Sequence, residues 1–205
     1  MTDGNRYYLN VQAYDLAGNL SVMTTTYFFY DATSPSVAII KPDSAFHNSL
    51  PTVSGTSWDN DSVGPYESKL YKVRIRIQEN PPTGNWWNNL TKAFDILDDN
   101  KEGAWYDASG IFEGEISDDW YITGVDTPTW VSNRRYRIEV QSIDKARNVS
   151  SIEAKEFVFD TQLPITEITK PASGEIFVTL LPTISGTSAD SNSLGEIDFV
   201  EIRIK

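Results

Sequence analysis

Two copies of one long stretch occur in the chain, and this internal repeat constrains the fold more than any other feature. Residues 135–164 read RYRIEVQSIDKARNVSSIEAKEFVFDTQLP, and residues 6–35 read RYYLNVQAYDLAGNLSVMTTTYFFYDATSP, at an offset of 129. A second block, LPT[VI]SGTS followed by a loop rich in Asp, Asn and Ser, occurs at residues 50–64 and 181–195, at an offset of 131. Fixed-period self-similarity indicates a tandem array of one structural unit.

The repeated segments carry the pattern of β-strands. Apolar and polar side chains alternate over residues 7–13, which is typical of a strand with one buried face. Asp, Gly and Asn in residues 15–19 then favour a hairpin turn. A V-x-I-x-I motif at residues 73–77 recurs at 200–204 and is predicted to be a strand in both places. Apart from one helical turn expected at residues 90–97, helical periodicity is absent, so the sequence predicts an all-β sandwich.

The repeat also predicts the domain boundaries. Residues 1–31 correspond to the C-terminal hairpin of a preceding unit, residues 32–160 form one complete unit (the central unit), and residues 161–205 supply the first strands of a following unit. A lone hairpin is too small to hold a core, and half a sandwich exposes strand edges. We therefore expect the two ends either to continue into neighbouring repeats or to complement each other by head-to-tail self-association.

The motifs resemble a known family. They are Y-x-[LI]-x-V-Q-[AS]-x-D-x-A-x-N, a D-x-x-x-P linker, P-T-[VI]-S-G-T-S and V-x-I-x-I, together with the runs GNWWN, AWYDAS and DDWY. This combination resembles bacterial Ig-like tandem repeats of large cell-surface and secreted proteins. The resemblance implies an immunoglobulin-like β-sandwich that acts as a spacer or adhesive module in an adhesin, stalk or filament. One departure is Arg147, where the first copy has Gly18, and it predicts a different backbone conformation in the second turn.

Amino-acid composition limits the cellular compartments and the classes of binding partner that suit this chain. The net charge of −12 argues against nucleic acid and anionic membranes as partners and fits a surface that either repels itself or holds cations. No cysteine is present, so neither disulfides nor thiolate chemistry is possible. Extracellular eukaryotic modules more often carry cystines, which favours a bacterial or archaeal source. No apolar run approaches the length of a membrane span, so no membrane insertion of this segment is expected. The resemblance implies an extracellular or cell-surface location.

The sequence gives little support for catalysis. The single histidine, His47, falls in a weakly patterned segment and is interpreted as a solvated loop residue, because the second repeat has no histidine there. The acidic pairs at residues 98–99 and 118–119 are more typical of surface charge than of glycoside hydrolysis. No nucleophile elbow, phosphate-binding glycine loop or zinc ligand set occurs, so the chain is predicted not to be an enzyme.

Acidic side chains suggest calcium as a cofactor. In an Ig-like sandwich the linker before a unit, its second-to-third-strand loop and its last hairpin turn lie at one end. For the central unit this end would collect the oxygen ligands of Asp31, Asp59, Asp61, Asp144 and Asn148. The corresponding ligands at the next junction are Asp160, Asp190 and Asn192. Calcium takes six to eight such oxygens, so the pattern predicts an ion that ties linker to unit. The alternative is that these residues only form turns and caps.

The tryptophans suggest a second function. Five of the six lie between residues 78 and 133, where the strand pattern is weakest. They are expected mainly to fill the sandwich, but exposed rings could stack on a glycan. Trp86 and Trp87 are the candidates, because adjacent residues of an extended segment face opposite sides. The alternative function is therefore a carbohydrate-binding module, accessory to a secreted enzyme, that uses these two rings.

Overall fold

The computed structural model describes residues 1–59, 68–172, 174, 179–181, 183–191 and 193–204. Across these residues the protein is built from β-strands, which confirms the predicted all-β class. The strands up to residue 88 are β1 (Asn5–Val11), β2 (Thr24–Tyr30), β3 (Ser36–Lys41), β4 (Phe46–His47), β5 (Thr52–Trp58), β6 (Leu70–Glu79) and β7 (Trp86–Asn88). The later strands are β8 (Ala93–Ile96), β9 (Tyr106–Asp107), β10 (Ser117–Thr123), β11 (Arg134–Asp144), β12 (Glu153–Phe159), β13 (Ile165–Lys170) and β14 (Ser185–Ala189). The 3-10 helical segments are Asp98–Ala104 and Gly124–Asp126.

The central unit consists of two sheets that enclose one core. The smaller sheet has the strand order β10-β5-β3, and the larger has the order β4-β12-β11-β6-β7-β8, with β9 beside β6. Neighbouring strands are antiparallel except for β4, which lies parallel to β12. Both sheets contribute apolar side chains to a single cluster, so the unit is a β-sandwich.

Alternation along the strands builds this core. In β6 the side chains of Val73, Ile75 and Ile77 are fully buried, as the V-x-I-x-I motif predicts. On the facing sheet, the indole ring of Trp120 is fully buried. The ring lies so close to Gly55 that a Cβ atom there would come 2.5 Å from it and would overlap the carbonyl oxygen of Ala38. Glycine in the S-G-T-S motif is therefore required by close packing.

The two copies of the repeated hairpin have the same register. Tyr7 lies opposite Phe28 in the β1–β2 hairpin, and Tyr136 lies opposite Phe157 in the β11–β12 hairpin. Each pair is related to the other by the sequence offset of 129. The equivalent side chains therefore point to equivalent faces in both copies.

The first strands of the repeat also match. Ile39 pairs with Gly55 between β3 and β5, and Ile168 pairs with Gly186 between β13 and β14. A Cβ atom on Gly186 would overlap the carbonyl oxygen of Glu167, just as one on Gly55 would overlap that of Ala38. The same close contact thus explains the glycine of both motifs.

Two secondary-structure predictions are wrong. Residues 90–97 do not form a helical turn but a β-turn and the strand β8, which pairs with β7. The helical segment instead follows, at Asp98–Ala104. The second V-x-I-x-I motif, residues 200–204, forms no strand in the described part, which ends at 204. In the central unit that motif pairs with β11, and residues 200–204 have no such neighbour in the described part of the chain.

Candidate metal centre

The described residues contain one group of three acidic side chains close enough to share a metal ion. Asp31, Asp59 and Asp144 each offer a carboxylate oxygen, and these oxygens lie within 4.8 Å of one another. Asp59 and Asp144 are fully buried, and Asp31 is partly buried. Of the five residues predicted for this end of the unit, the structure therefore brings these three together, whereas Asp61 lies outside the described residues.

Asp144 is positioned by the turn that ends β11. Its main-chain N–H donates to the carbonyl oxygen of Asn148 at 3.2 Å. Its carboxylate accepts hydrogen bonds from the main-chain N–H and the side-chain amide of Asn148, both at 2.8 Å. The D-x-A-x-N motif thus encodes a carboxylate cradled by its own turn. Asn148 therefore lies beside the cluster, because its main chain and its side chain are both bonded to the Asp144 carboxylate.

The turn corrects the expectation for Arg147. Its φ of 77° lies in the same left-handed region as the 87° of Gly18, so the two turns share a backbone conformation. The guanidinium carbon of Arg147 lies 4.0 Å from the ring centre of Tyr71, a cation–π contact. An exposed contact of this kind contributes about 0.5–1 kcal/mol, which offsets part of the cost of about 1–2 kcal/mol for a left-handed non-glycine residue.

Asp31 contributes from the linker. Its carboxylate accepts the main-chain N–H of Thr33 at 2.9 Å and that of Ser68 at 3.2 Å. The linker is also attached to the residues before β1, because Asp3 accepts hydrogen bonds from the Ala32 N–H and the Thr33 hydroxyl. These bonds lower the pKa of Asp3 below its ordinary value, with the Thr33 hydroxyl as the largest cause.

Asp59 completes the cluster from the end of β5. Its main-chain N–H donates to the carbonyl oxygen of Ile116 at 2.7 Å, and its carboxylate accepts the hydroxyl of Ser68 at 3.3 Å. Ser68 therefore contacts two of the three carboxylates, Asp31 through its main-chain N–H and Asp59 through its side chain. Sequence reasoning missed Ser68, since a single serine at the end of a polar loop has no distinguishing pattern.

The cluster fits calcium in its donor type and dimensions. Two oxygens bound to one calcium at 2.3–2.6 Å can lie at most about 5 Å apart, and the three carboxylate oxygens lie within 4.8 Å. Without an ion, two carboxylates at that separation repel each other by about 3 kcal/mol at an effective dielectric constant of 20. A divalent cation among Asp31, Asp59 and Asp144 would turn this repulsion into attraction.

The second predicted junction forms no comparable group in the described residues. Asp160 accepts the main-chain N–H of Gln162 at 2.9 Å, as its counterpart Asp31 does from Thr33. Asp160 and Asp190 line one open cleft together with Glu196 and Asp198, but no three of these acidic side chains lie within metal-binding distance of one another in the described part of the chain. Asn192 lies outside the described residues.

The tryptophans predicted to bind a glycan are buried. Trp86 is 2% exposed and Trp87 is 4% exposed, so neither offers the open ring face that stacking on sugar needs. Trp87 belongs to the sandwich core. Trp86 lies on the other face of the sheet, where its indole N–H donates to Asp98 at 2.9 Å. Both rings are thus structural in this fold, on opposite faces as predicted.

On the outer face of the larger sheet, an arginine side chain is stacked between two aromatic rings. The guanidinium of Arg76 lies 4.7 Å from the ring centre of Trp86 and 4.3 Å from that of Trp105. It also forms ion pairs with Glu139 at 2.7 Å and with Glu102 at 2.8 Å. A buried arginine is satisfied by this combination of charge and ring contacts.

His47 is not a solvated loop residue. It lies in β4 opposite Phe159, and its ring packs edge-on against Phe157 at 5.7 Å.

Comparison of the chain with protein-family models and with curated proteins finds no match. Among the described residues, no helix has the length and apolar character needed to cross a bilayer. Function is therefore inferred from the geometry of the chain itself.

Proposed function

We propose that the chain is a non-catalytic spacer segment of a surface or extracellular protein, made of tandem Ig-like units and stiffened by calcium at the junction before residue 32. An adhesin, stalk or filament is the class of protein that uses such a segment. The equal hairpin registers at an offset of 129 support the tandem arrangement. Neighbouring repeats of the same protein are the proposed partners.

The observation that carries the proposal is the position of Asp31. This residue belongs to the linker, yet its carboxylate meets those of Asp59 and Asp144 from the unit that follows. An ion held by all three would reduce the freedom of the linker relative to the unit. Extracellular modules that bind calcium with affinities of about 10⁻⁴–10⁻³ M are matched to the calcium concentrations outside cells.

Calorimetric titration of the chain with CaCl₂ tests the proposal directly. We expect one binding event at the junction and a rise in the melting temperature, because a ligand at ten times its Kd stabilises the folded state by about 1.4 kcal/mol. Small-angle scattering should show a narrower range of chain dimensions with calcium than with a chelator. Absence of binding and of any thermal shift at 10 mM calcium would reject calcium as the ligand.

A matched pair of variants isolates the junction. Asp59→Asn removes one buried carboxylate of the cluster, and we expect it to abolish the calcium-dependent shift in melting temperature. Asp99→Asn makes the same chemical change at an exposed position outside the cluster and should keep the full shift. The quantity compared is the calcium increment within each variant, so a change in intrinsic stability does not obscure the result.

A further inference from the structure

One tryptophan of the central unit has an exposed ring. Trp58, the last residue of β5, is 39% exposed. Trp87 is buried in the core, and the indole N–H groups of the other tryptophans donate hydrogen bonds within the chain: Trp86, Trp105, Trp120 and Trp130. Among the described residues, neither the ring nor the indole N–H of Trp58 has a partner.

The repeat shows that the fold does not require this ring. The motif P-T-[VI]-S-G-T-S is followed by Trp58 in the central unit and by Ala189 in its second copy. The two residues have the same place in their strands, because Trp58 lies opposite Ser36 and Ala189 lies opposite the counterpart of Ser36, Ile165. A large exposed ring where the same strand accepts alanine favours a role in binding over a role in packing.

Trp58 lies on the outer face of the smaller sheet, and this face carries little charge. Alternate residues of β5 and β10 point into the core, among them Val53, Trp120 and Ile122. The residues between them therefore point outward. They are Thr52, Ser54, Thr56 and Trp58 in β5, and Ser117, Asp119, Tyr121 and Thr123 in β10. Asp119 is the only charged side chain among them, although the chain has a net charge of −12.

Two aromatic rings lie at opposite ends of a floor of smaller side chains on this face. Tyr121 is 43% exposed and lies opposite Ser54, which precedes Trp58 by four residues in β5. The two rings are therefore about 13 Å apart along the strand. The floor between them is formed by Thr56 and the two residues opposite it, Ala38 and Asp119. In the described part of the chain, the hydroxyl groups of Ser54 and Thr56 have no hydrogen-bond partner.

A cleft adjoins this floor at Ser54. It has a volume of about 360 Å³, and its lining includes Ser54, Thr52, Lys41 and Asp43. The ammonium group of Lys41 lies 3.9 Å from the Asp43 carboxylate, so the two charges offset each other. The volume falls within the range of small-molecule sites, about 300–1,000 Å³. The outer face thus offers a concave end as well as two open rings.

We propose that the outer face of the smaller sheet binds a neutral oligosaccharide, which adds adhesion to the spacer role. The C–H faces of sugar rings pack on aromatic rings, here those of Trp58 and Tyr121. Sugar hydroxyl groups both donate and accept hydrogen bonds, and the hydroxyl of Thr56 and the carboxylate of Asp119 are complementary to them. An anionic glycan is disfavoured by Asp119 and by the negative net charge. The inference does not depend on an ion at the junction.

A glycan array tests the 205-residue chain directly. The probes are linear oligosaccharides of glucose, mannose and N-acetylglucosamine, with sulfated and sialylated glycans beside them. We expect binding to the neutral oligosaccharides alone. In calorimetric titrations the affinity should rise at least about tenfold from the monosaccharide to an oligosaccharide that reaches both rings, because a single sugar cannot contact two rings about 13 Å apart.

Substitutions of the two rings test the site. Trp58→Ala and Tyr121→Ala should each weaken binding by about tenfold or more, as the loss of one stacking ring does for bases bound to aromatic side chains. Trp58→Ala should also fold normally, since Ala189 occupies the same position in the second copy. Tyr121→Phe keeps the ring and should retain most of the affinity. Tyr14→Ala removes a 71% exposed ring outside this face and should leave binding unchanged.

Three outcomes overturn the inference. The first is absence of binding to every neutral oligosaccharide at millimolar concentrations, and the second is preference for the sulfated or sialylated glycans. The third is binding that survives both Trp58→Ala and Tyr121→Ala, or that Tyr14→Ala weakens equally. Circular dichroism of each variant verifies that the central unit remains folded.

Discussion

The side-chain amide of Asn148 donates to the carbonyl oxygen of Asp31 at 3.3 Å, although 117 residues separate them in sequence. The same amide nitrogen donates to the carboxylate of Asp144 at 2.8 Å. One side chain therefore joins the linker that enters the central unit to the last hairpin turn of that unit. The first copy of the turn provides a comparison, because Asn19 contacts Asp15 in the same way in an exposed setting.

Replacement of this asparagine should loosen the junction. We expect Asn148→Ala to lower the free energy of unfolding by about 1–3 kcal/mol, because it removes two hydrogen bonds and leaves the buried Asp144 carboxylate with one donor fewer. Asn19→Ala is the matched control, and it should have a smaller effect because Asp15 remains accessible to water. Urea denaturation of both variants measures the difference, and equal losses would contradict the role assigned to Asn148.

Close packing predicts a steep cost at Gly55. We expect Gly55→Ala to destabilise the fold by about 3 kcal/mol or more, because the added methyl overlaps the main chain of β3 and the ring of Trp120. Gly103→Ala is the control, since nothing lies within 4 Å of a Cβ atom there. Thermal denaturation of the two variants compares them, and a mild effect at Gly55 would show that β3 and the Trp120 ring move easily to make room for a methyl group.

The conformation of Arg147 predicts an order of stability among variants. Arg147→Ala keeps the left-handed backbone but loses the contact with Tyr71, so it should destabilise the protein by about 1 kcal/mol. Arg147→Gly loses the same contact but relieves the backbone, so it should lie within about 0.5 kcal/mol of the parent. Chemical denaturation measures the order, and an alanine variant at least as stable as the glycine variant would refute it.

Acid should disturb the contacts of Trp86 and Arg76 on the outer face of the larger sheet before it disturbs the core. The indole N–H of Trp86 lowers the pKa of Asp98 below 3.8, and Arg76 is the largest cause that lowers the pKa of Glu102 below 4.5. Carboxylates with depressed pKa values stabilise the folded state at higher pH and lose that contribution as the pH falls through the folded value. We therefore expect tryptophan fluorescence to change reversibly below pH 4.5.

The acid transition has its own control. Asp98→Asn should remove the part of the fluorescence change that reports on Trp86. The indole N–H of Trp86 would then donate to an amide, which does not titrate, instead of to a carboxylate. Asp99→Asn should leave the whole change in place, since Asp99 has an exposed side chain next to the contact. Identical titrations for the two variants would assign the transition to other carboxylates.

The repeat made the hairpins predictable because local pattern and turn chemistry agree there. Alternation identified the strand face of Tyr7, and the Asp15–Asn19 turn determined which residue lies opposite. The convergence of Asp31, Asp59 and Asp144 could also be anticipated, because the linker, the loop after β5 and the turn that ends β11 were expected at the same end of a sandwich. The end of the fold at which these residues lie could thus be predicted from the order of the strands.

Features that depend on distant contacts were not predictable. The strand β8 was missed because Phe94 is fixed by Trp87 and Tyr136, and those contacts leave no local signature around residues 90–97. The conformation of Arg147 was missed because the ring of Tyr71 that stabilises it comes from another strand. Residues 200–204 have the pattern of a strand but pair with no strand among the described residues, and pattern alone does not form a ladder.

The bond between Asn148 and Asp31 also determines how mechanical load would enter the central unit. Tension on the linker from its N-terminal side reaches Asp31 before it reaches β3. Because Asp31 is bonded to the β11–β12 turn, part of that tension passes directly to β11, the strand at the middle of the larger sheet. β3, the first strand of the unit, therefore carries less than the full force. Extension must break the junction before β3 can separate from β5.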